Sequence, residues 1–473
     1  MLVSAKVTEG LLSYDFDLNP QPQLAIGWSV SVDCREFTFR LRADVRWHDG
    51  RPFTSRDVAV SIRLLKDLHG RGRTTFANVS EVRTPDMLTA IIVLSQPAPY
   101  LLRAFAACES PIMPAHRYTE GDALEHQNGV APVGTGPFIF KEWVAGSHIT
   151  YERNNDYWDS PKPYVDRVIV RFIEDADVKV AAIEDGSIDL APGTPVPLEW
   201  LRRLSANPRL RMVTNGYLYL NQIVRLEFNL DHPEFGKLAV RQAIAHSLRR
   251  QTIIDEAWLG YGKVAYGPIS PDLKQFCLND LETPAFSLAQ AGQLLDAANL
   301  PKGRDGVRLR AILDYVPAGD GYRRTADCVV RALSAVGIEA QVREQDFSAY
   351  IKRIYSDRDF AFVVGRMNNM FDPTVGVQRV FWSKSFRKGV PFSNASHFAN
   401  NEVDQLLERA ATEPDVVKRL HFLHEFQRKI VEELPDITLL APKQFTVSNI
   451  RLCDHTITAD GAAGNLSSAR VEA

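Results

Sequence analysis

The stretch 307–343 constrains the fold more than any other part of the chain. Val307, Leu309, Ala311 and Leu313 recur at every second position, the period of a half-buried strand. Ala326, Val329, Val330 and Leu333 then repeat at helical spacing. Gly337 stops that helix, and Ile338, Ala340 and Val342 begin a second alternating run. Strand, helix and strand in this order make a βαβ unit. Its strands run parallel, because the helical crossover returns the chain to the edge from which it started. An α/β fold follows for at least the second half of the chain.

The same mixture extends elsewhere. Phe37-Thr38-Phe39-Arg40-Leu41-Arg42 alternates as a strand, and Asp49-Gly50 marks a turn. Thr54-x-x-Asp57 reads as a helix start, with Val58, Ile62 and Leu65 on one face. Residues 88–94 predict a strand, whereas 95–114 hold four prolines and cannot form one regular element. Val168, Val170 and Phe172 predict another strand. A helix follows Lys237, with Val240, Ile244 and Leu248 on one face and Arg241, Arg249 and Arg250 elsewhere. Ser287-x-x-Gln290 predicts a reciprocal capping box. Two more helices are expected at 402–412 and 419–434. At 473 residues, the chain has room for two or three domains of about 150 residues.

Several function classes lack their signatures. No apolar run reaches the roughly 20 residues of a membrane-spanning helix. Met1 leads into mixed sequence, without the basic start and apolar core of a signal peptide. The net charge is −3 with no long basic run, so no nucleic-acid partner is expected. The five cysteines are far apart and form no C-x-x-C, which argues against dense disulfides or a structural zinc. Neither a G-x-S-x-G elbow nor a phosphate loop occurs. His421 and His424 are spaced i, i+3, which misses the spacing of zinc-protease helices. Gly134-Thr135-Gly136-Pro137 is a tight turn, since Pro137 lacks the N–H that an anion cradle uses. No catalytic residue, metal or cofactor is expected.

Four stretches, in order along nearly the whole chain, resemble the family 5 extracellular solute-binding proteins of bacterial ABC importers. The first is Phe37-Thr38-Phe39-Arg40-Leu41-Arg42 leading to Trp47-His48-Asp49-Gly50-Arg51-Pro52-Phe53-Thr54-Ser55-Arg56-Asp57-Val58. The second is Gly134-Thr135-Gly136-Pro137-Phe138 with Glu152-Arg153-Asn154-Asn155-Asp156-Tyr157-Trp158. The third is Phe228-Asn229 with Val240-Arg241-Gln242-Ala243-Ile244-Ala245, and the fourth is Asp372-Pro373. The resemblance implies a two-lobed periplasmic-binding-protein-like fold that closes like a clamp. It places a discontinuous first lobe at 1–17, 132–225 and 449–473, an appended subdomain at 18–131, and the second lobe at 226–448. It implies a periplasmic monomer that delivers a peptide-like, opine-like or sugar-like ligand to a membrane permease. In relatives, a strand and a proline-containing segment precede the helix that Lys6-Val7-Thr8-Glu9-Gly10-Leu11 resembles; that lead-in is missing here. The alternatives are a soluble hydrolase with groups converging from distant positions, or a chemosensory binding protein on the same scaffold.

The apolar run 360–364 predicts a strand buried on both faces, followed by a loop. Ligands in α/β folds bind beyond the carboxyl ends of strands. With the resemblance, Gly365, Arg366, Asn368, Asn369, Phe371 and Asp372 become the expected ligand site, with Gln378, Phe381 and Trp382 as further candidates. Gly365 lets a ligand approach the backbone, and the asparagines offer donors and acceptors. Peptide-binding relatives carry an aspartate three residues before the Asp-Pro aspartate, pairing with the ligand's α-ammonium. Asn369 holds that position here, so a typical free-amine peptide is not the expected ligand unless Asp372 or Glu109 compensates.

Overall fold

The computed structural model describes residues 3–118 and 127–472. Its largest sheet has six strands, ordered Gly262–Val264, Asp436–Pro442, Gln222–Phe228, Phe362–Asn368, Leu309–Tyr315 and Ile338–Val342. The βαβ unit lies at one edge. Leu309–Tyr315 and Ile338–Val342 pair in parallel, joined by the helix Asp320–Ser334. Phe362–Asn368 also runs parallel to Leu309–Tyr315, and the remaining pairs are antiparallel. Leu226, Phe228, Val363 and Val364 are fully buried at its centre.

The central strand begins later and ends later than its apolar run. It spans Phe362–Asn368, so Gly365, Arg366 and Asn368 belong to a strand rather than a loop. The reason is tertiary: Gln222–Phe228 supplies a partner at every position from Gln222↔Asn368 to Phe228↔Phe362.

A four-stranded antiparallel sheet is built from Ala25–Val30, Glu36–Leu41, Thr89–Leu94 and Val79–Asp86. Phe37, Phe39 and Leu41 alternate into its core as expected. The helix Ser55–Leu68 starts where Thr54 predicts, with the Thr54 N–H donating to Asp57 Oδ2 at 2.7 Å. Trp47 and Phe53 are both 2% exposed and meet edge to face at 6.3 Å. Ser287 is only half of a capping box. Its Oγ accepts from Gln290 N at 3.2 Å, but its own N–H is taken by His246 O, so no reciprocal bond forms. Arg241 is buried and donates to the carbonyls of Phe235, Gly236, Glu433 and Leu434.

There are also two three-stranded sheets, Phe138–Val144 with His148–Arg153 and Arg167–Arg171, and Thr446–Asn449 between Leu190–Ala191 and Leu210–Val213, besides two small two-stranded ones. The chain leaves the second of these after Val213 and joins the six-stranded sheet at Gln222. It returns after Pro442 to enter Thr446–Asn449. Positions 225 and 449, where divisions between lobes are expected, lie inside strands of these two sheets.

The amino-terminal segment is pinned by two close contacts. Gly136 N–H donates to Val7 O at 2.8 Å, and a methyl group on Gly134 would lie 1.8 Å from that same oxygen. Lys6 Nζ donates to Ala462 O at 2.9 Å and also to Gly464 O. Burial lowers the Lys6 pKa from 10.5 to about 7, against the pull of Asp460. Between those values the unfolded chain binds a proton that the folded chain does not, so Lys6 makes stability rise with pH in that window. Below about pH 7 both states are charged and the contribution is flat. Urea midpoints should therefore rise less between neutral pH and about pH 9 in Lys6→Met than in the wild type. Equal changes in the two proteins would refute this assignment.

Candidate functional site

The central strands Gln222–Phe228 and Phe362–Asn368 divide the expected residues between two faces. Successive side chains on a strand point to opposite sides. Gly365 pairs with Arg225, on the face shared with Ile223, Glu227 and Met367. Arg366 and Asn368 pair with Val224 and Gln222 on the other face.

On the first face, Arg225 is buried between two carboxylates. It donates to Asp436 Oδ2 at 2.7 Å and to Glu227 Oε2 at 2.6 Å. Burial raises the pKa of both acids, against the pull of Arg225. Beside this network a methyl group on Gly365 would meet nothing within 4 Å, so the backbone there borders open space.

On the second face, a polar relay forms. The Arg366 guanidinium lies beside the Tyr322 hydroxyl and pulls its pKa down against the effect of burial. Tyr322 O–H donates to Gln222 Oε1 at 3.0 Å, and Gln222 Nε2 donates to Asn368 Oδ1 at 3.0 Å. Burial raises the Tyr322 pKa to about 12, so the phenol stays protonated and keeps its donor. The relay sits where the chain crosses between sheets. Five residues before Gln222, Tyr217 O–H accepts from Gly193 N at 2.9 Å and lies 2.5 Å from Thr446 Oγ1. From the same 193–199 segment, Glu199 reaches Arg324 at 3.5 Å, one turn into the helix Asp320–Ser334.

The remaining candidates are packed. Asn369 has no exposed surface. Its N–H donates to Asn221 O at 2.7 Å, its Nδ2 to Pro268 O at 3.2 Å, and its Oδ1 accepts from Ser270 N. Phe371 stacks at a tilt on Tyr219, with centroids 4.8 Å apart. Asp372 caps Pro373–Gly376 through Thr374 N and accepts from Arg419 Nη2 at 2.6 Å. Its second oxygen lies 3.8 Å from Arg103, whose carbonyl accepts from Tyr219 O–H. Gln378 is half-buried at the start of Gln378–Phe381, and Phe381 is core. Trp382 Nε1 donates to Glu408 at 2.9 Å, with Lys384 over its ring. Glu109 is buried and ion-paired with Arg71 at 2.8 Å. A separate cavity of about 170 Å³ lies between Tyr157, Trp158, Lys162 and the 454–468 segment. Among the described residues, no group of three or more His, Cys, Asp or Glu is placed to hold a metal. Among the described residues, no helix is long and apolar enough to cross a membrane.

Sequence reasoning missed Gln222 and Tyr322. Gln222 carried a faint signal, as a polar residue at the mouth of an apolar strand. Tyr322 carried none, because its partner lies 100 residues away.

Two bodies of sheet and helix joined by crossing segments around a cleft define a binding protein of the two-lobed, clamp-like class. The chain belongs to the bacterial extracellular solute-binding proteins, family 5, whose profile matches residues 19–410. It is 24% identical over 459 residues to di/tripeptide-binding protein 1 of Pseudomonas aeruginosa, covering 91% of this chain and 83% of that one. The solved structure of AgaA from A. tumefacien R10, in complex with agropinic acid, matches with a TM-score of 0.79 at 25% identity, covering 100% and 94% of the two chains. NikZ from Campylobacter jejuni, in complex with Ni(L-His), matches with a TM-score of 0.84 at 21% identity, covering 97% and 92%. The chain is thus a substrate-binding protein of the ABC-importer type.

The Asp372–Arg419 pair yields a stability prediction. Removing one member of a buried pair leaves an uncompensated charge, at a cost of about 3–5 kcal/mol. Arg419→Leu should lose about that much in urea unfolding, whereas Asp372→Ala combined with Arg419→Leu should recover part of it. A single variant as stable as the wild type would show that the pair is not buried as described.

Proposed function

We propose that this chain captures a small peptide-like, opine-like or sugar-like solute between its lobes and presents it to a membrane permease outside the cytoplasm, without chemistry of its own. We place the lobe division at the crossings 214–221 and 443–445, slightly outside the boundaries expected from sequence. Gly365, Arg366 and Asn368 are the ligand-facing subset, and Asn369, Phe371 and Asp372 are the packed frame that holds them.

The observation that carries the ligand class is Asn369. Its amide is neutral, and both ends are committed to the 268–270 backbone. It offers an α-ammonium no counter-charge. The two other acids considered as substitutes are engaged as well, Asp372 by Arg419 and Glu109 by Arg71. A buried ammonium without a partner is costly, and a charge-assisted hydrogen bond contributes about 1.5–3 kcal/mol. The solute therefore lacks a free amino terminus at this position. That the related AgaA structure holds agropinic acid supports an opine-like solute; the related di/tripeptide-binding protein keeps peptide-like molecules in view.

Calorimetry with di- to pentapeptides and their N-acetylated forms tests this. Acetylation should change affinity by less than about threefold, well under 1.4 kcal/mol. Submicromolar binding of unmodified peptides that vanishes on acetylation would overturn the proposed class.

A further inference from the structure

We propose that Arg366 is the carboxylate-recognising residue of the cleft, so that the captured solute carries an anionic carboxylate; this rests on the solute-binding role above. The first observation is the contrast among buried arginines. Arg225 and Arg419 each pair with carboxylates, and Arg241 and Arg379 are satisfied by backbone carbonyls. Arg366 is half-buried, yet among the described residues it has no carboxylate within ion-pair distance. It lies beside the uncharged hydroxyl of Tyr322. A charge held in a partly dehydrated cleft without a counter-ion is unfavourable unless an anion arrives.

The second observation is the direction of the relay. The Tyr322 O–H, beside Arg366, donates inward to Gln222 Oε1. Gln222 Nε2 then donates to Asn368 Oδ1, which leaves the Asn368 amide nitrogen without a partner among the described residues. Both ends of the relay thus present spare N–H groups, the guanidinium at one and the Asn368 amide at the other. Residues 366 and 368 share a strand face and are spaced about 7 Å apart. The face thus carries spare donors at both ends, which suits a carboxylate. A guanidinium also offers two parallel N–H bonds to the two oxygens of a carboxylate, which a lysine does not. Tyr322 and its neighbours Gly321 and Thr325 are locked against Trp258, so the relay has a rigid backing.

The test uses the full chain and a panel of N-acetyl di- and tripeptides and N-carboxyalkyl amino acids. Each is supplied as the free acid and as the matching carboxamide, and affinity is read by thermal shift and calorimetry. In the wild type, acids should bind about ten- to a hundredfold more tightly than their amides. Arg366→Gln should erase that preference, and Arg366→Lys should keep part of it by retaining the charge without the fork. Melting of the ligand-free variants shows that they fold. Equal affinity for acids and amides, an acid preference that survives Arg366→Gln, or no binding of any acid would each overturn the carboxylate assignment. Tight binding confined to peptides with free amino termini would instead overturn the ligand class proposed from Asn369. Acid and amide forms of those same peptides would still decide the role of Arg366.

Discussion

The register between Gln222–Phe228 and Phe362–Asn368 is the constraint on which the rest depends. Seven consecutive pairs, from Gln222↔Asn368 to Phe228↔Phe362, fix which side chain faces which way. A slip of one residue would turn every side chain to the opposite face. Arg366 would then move onto the face of Ile223, Arg225 and Glu227, and Val363 would leave that face for the layer of Val224, Leu226 and Phe228. The slip would set a second guanidinium against the buried Arg225, whose two acids are already paired with it. A second cation in that buried layer is far costlier than the native pairing. The buried ion network thus acts with the apolar pattern to hold one register, and that register places Arg366 and Asn368 beside Gln222.

Buried polar groups play the same part elsewhere in the frame. Glu9 is fully buried and accepts from Gln23, Thr135, Tyr157 and Trp158, all at 2.8–3.0 Å. Burial raises its pKa, while those four donors pull the other way. The donors come from residues up to 149 positions away, so the carboxylate ties the amino-terminal segment to the chain beside the sheet of Phe138–Val144, His148–Arg153 and Arg167–Arg171. Asp372 does likewise between Arg419 and the helix it caps. Such groups add little net energy compared with an apolar replacement, but they reject arrangements in which a partner is missing.

The sequence made the local elements legible where one physical rule acted alone. The alternation and helical spacing of 307–343 fixed the parallel edge of the sheet, and the Thr54 cap fixed the start of its helix. Ser287 was misread as a reciprocal box because its N–H is claimed by His246, a residue 41 positions earlier whose proximity no local pattern reports. The strand end at Asn368 was hidden for a related reason. Arg366 and Asn368 do not look like strand residues, and only the presence of Val224 and Gln222 alongside makes them so. The four family stretches identified the scaffold. They say nothing of Tyr322 or of where the guanidinium of Arg366 points.

The unpaired guanidinium also gives a reason for the clamp to close on its solute rather than alone. With the cleft open and wet, water satisfies Arg366 at little cost. On the proposed reading, drawing the 193–199 segment and the start of Asp320–Ser334 together removes that water. Without an anion, closure must bear the dehydration of a cation that, among the described residues, has no carboxylate within ion-pair distance and lies beside a neutral phenol. With a carboxylate in place, the same dehydration strengthens the attraction, because Coulombic interactions grow as the effective dielectric falls. A ligand shifts a conformational equilibrium only by its differential affinity for the two states. On the proposed reading, Arg366 supplies that difference. The cation that makes the empty closed state unfavourable is the one that makes the filled closed state favourable, so the permease would meet a closed protein chiefly when it carries cargo.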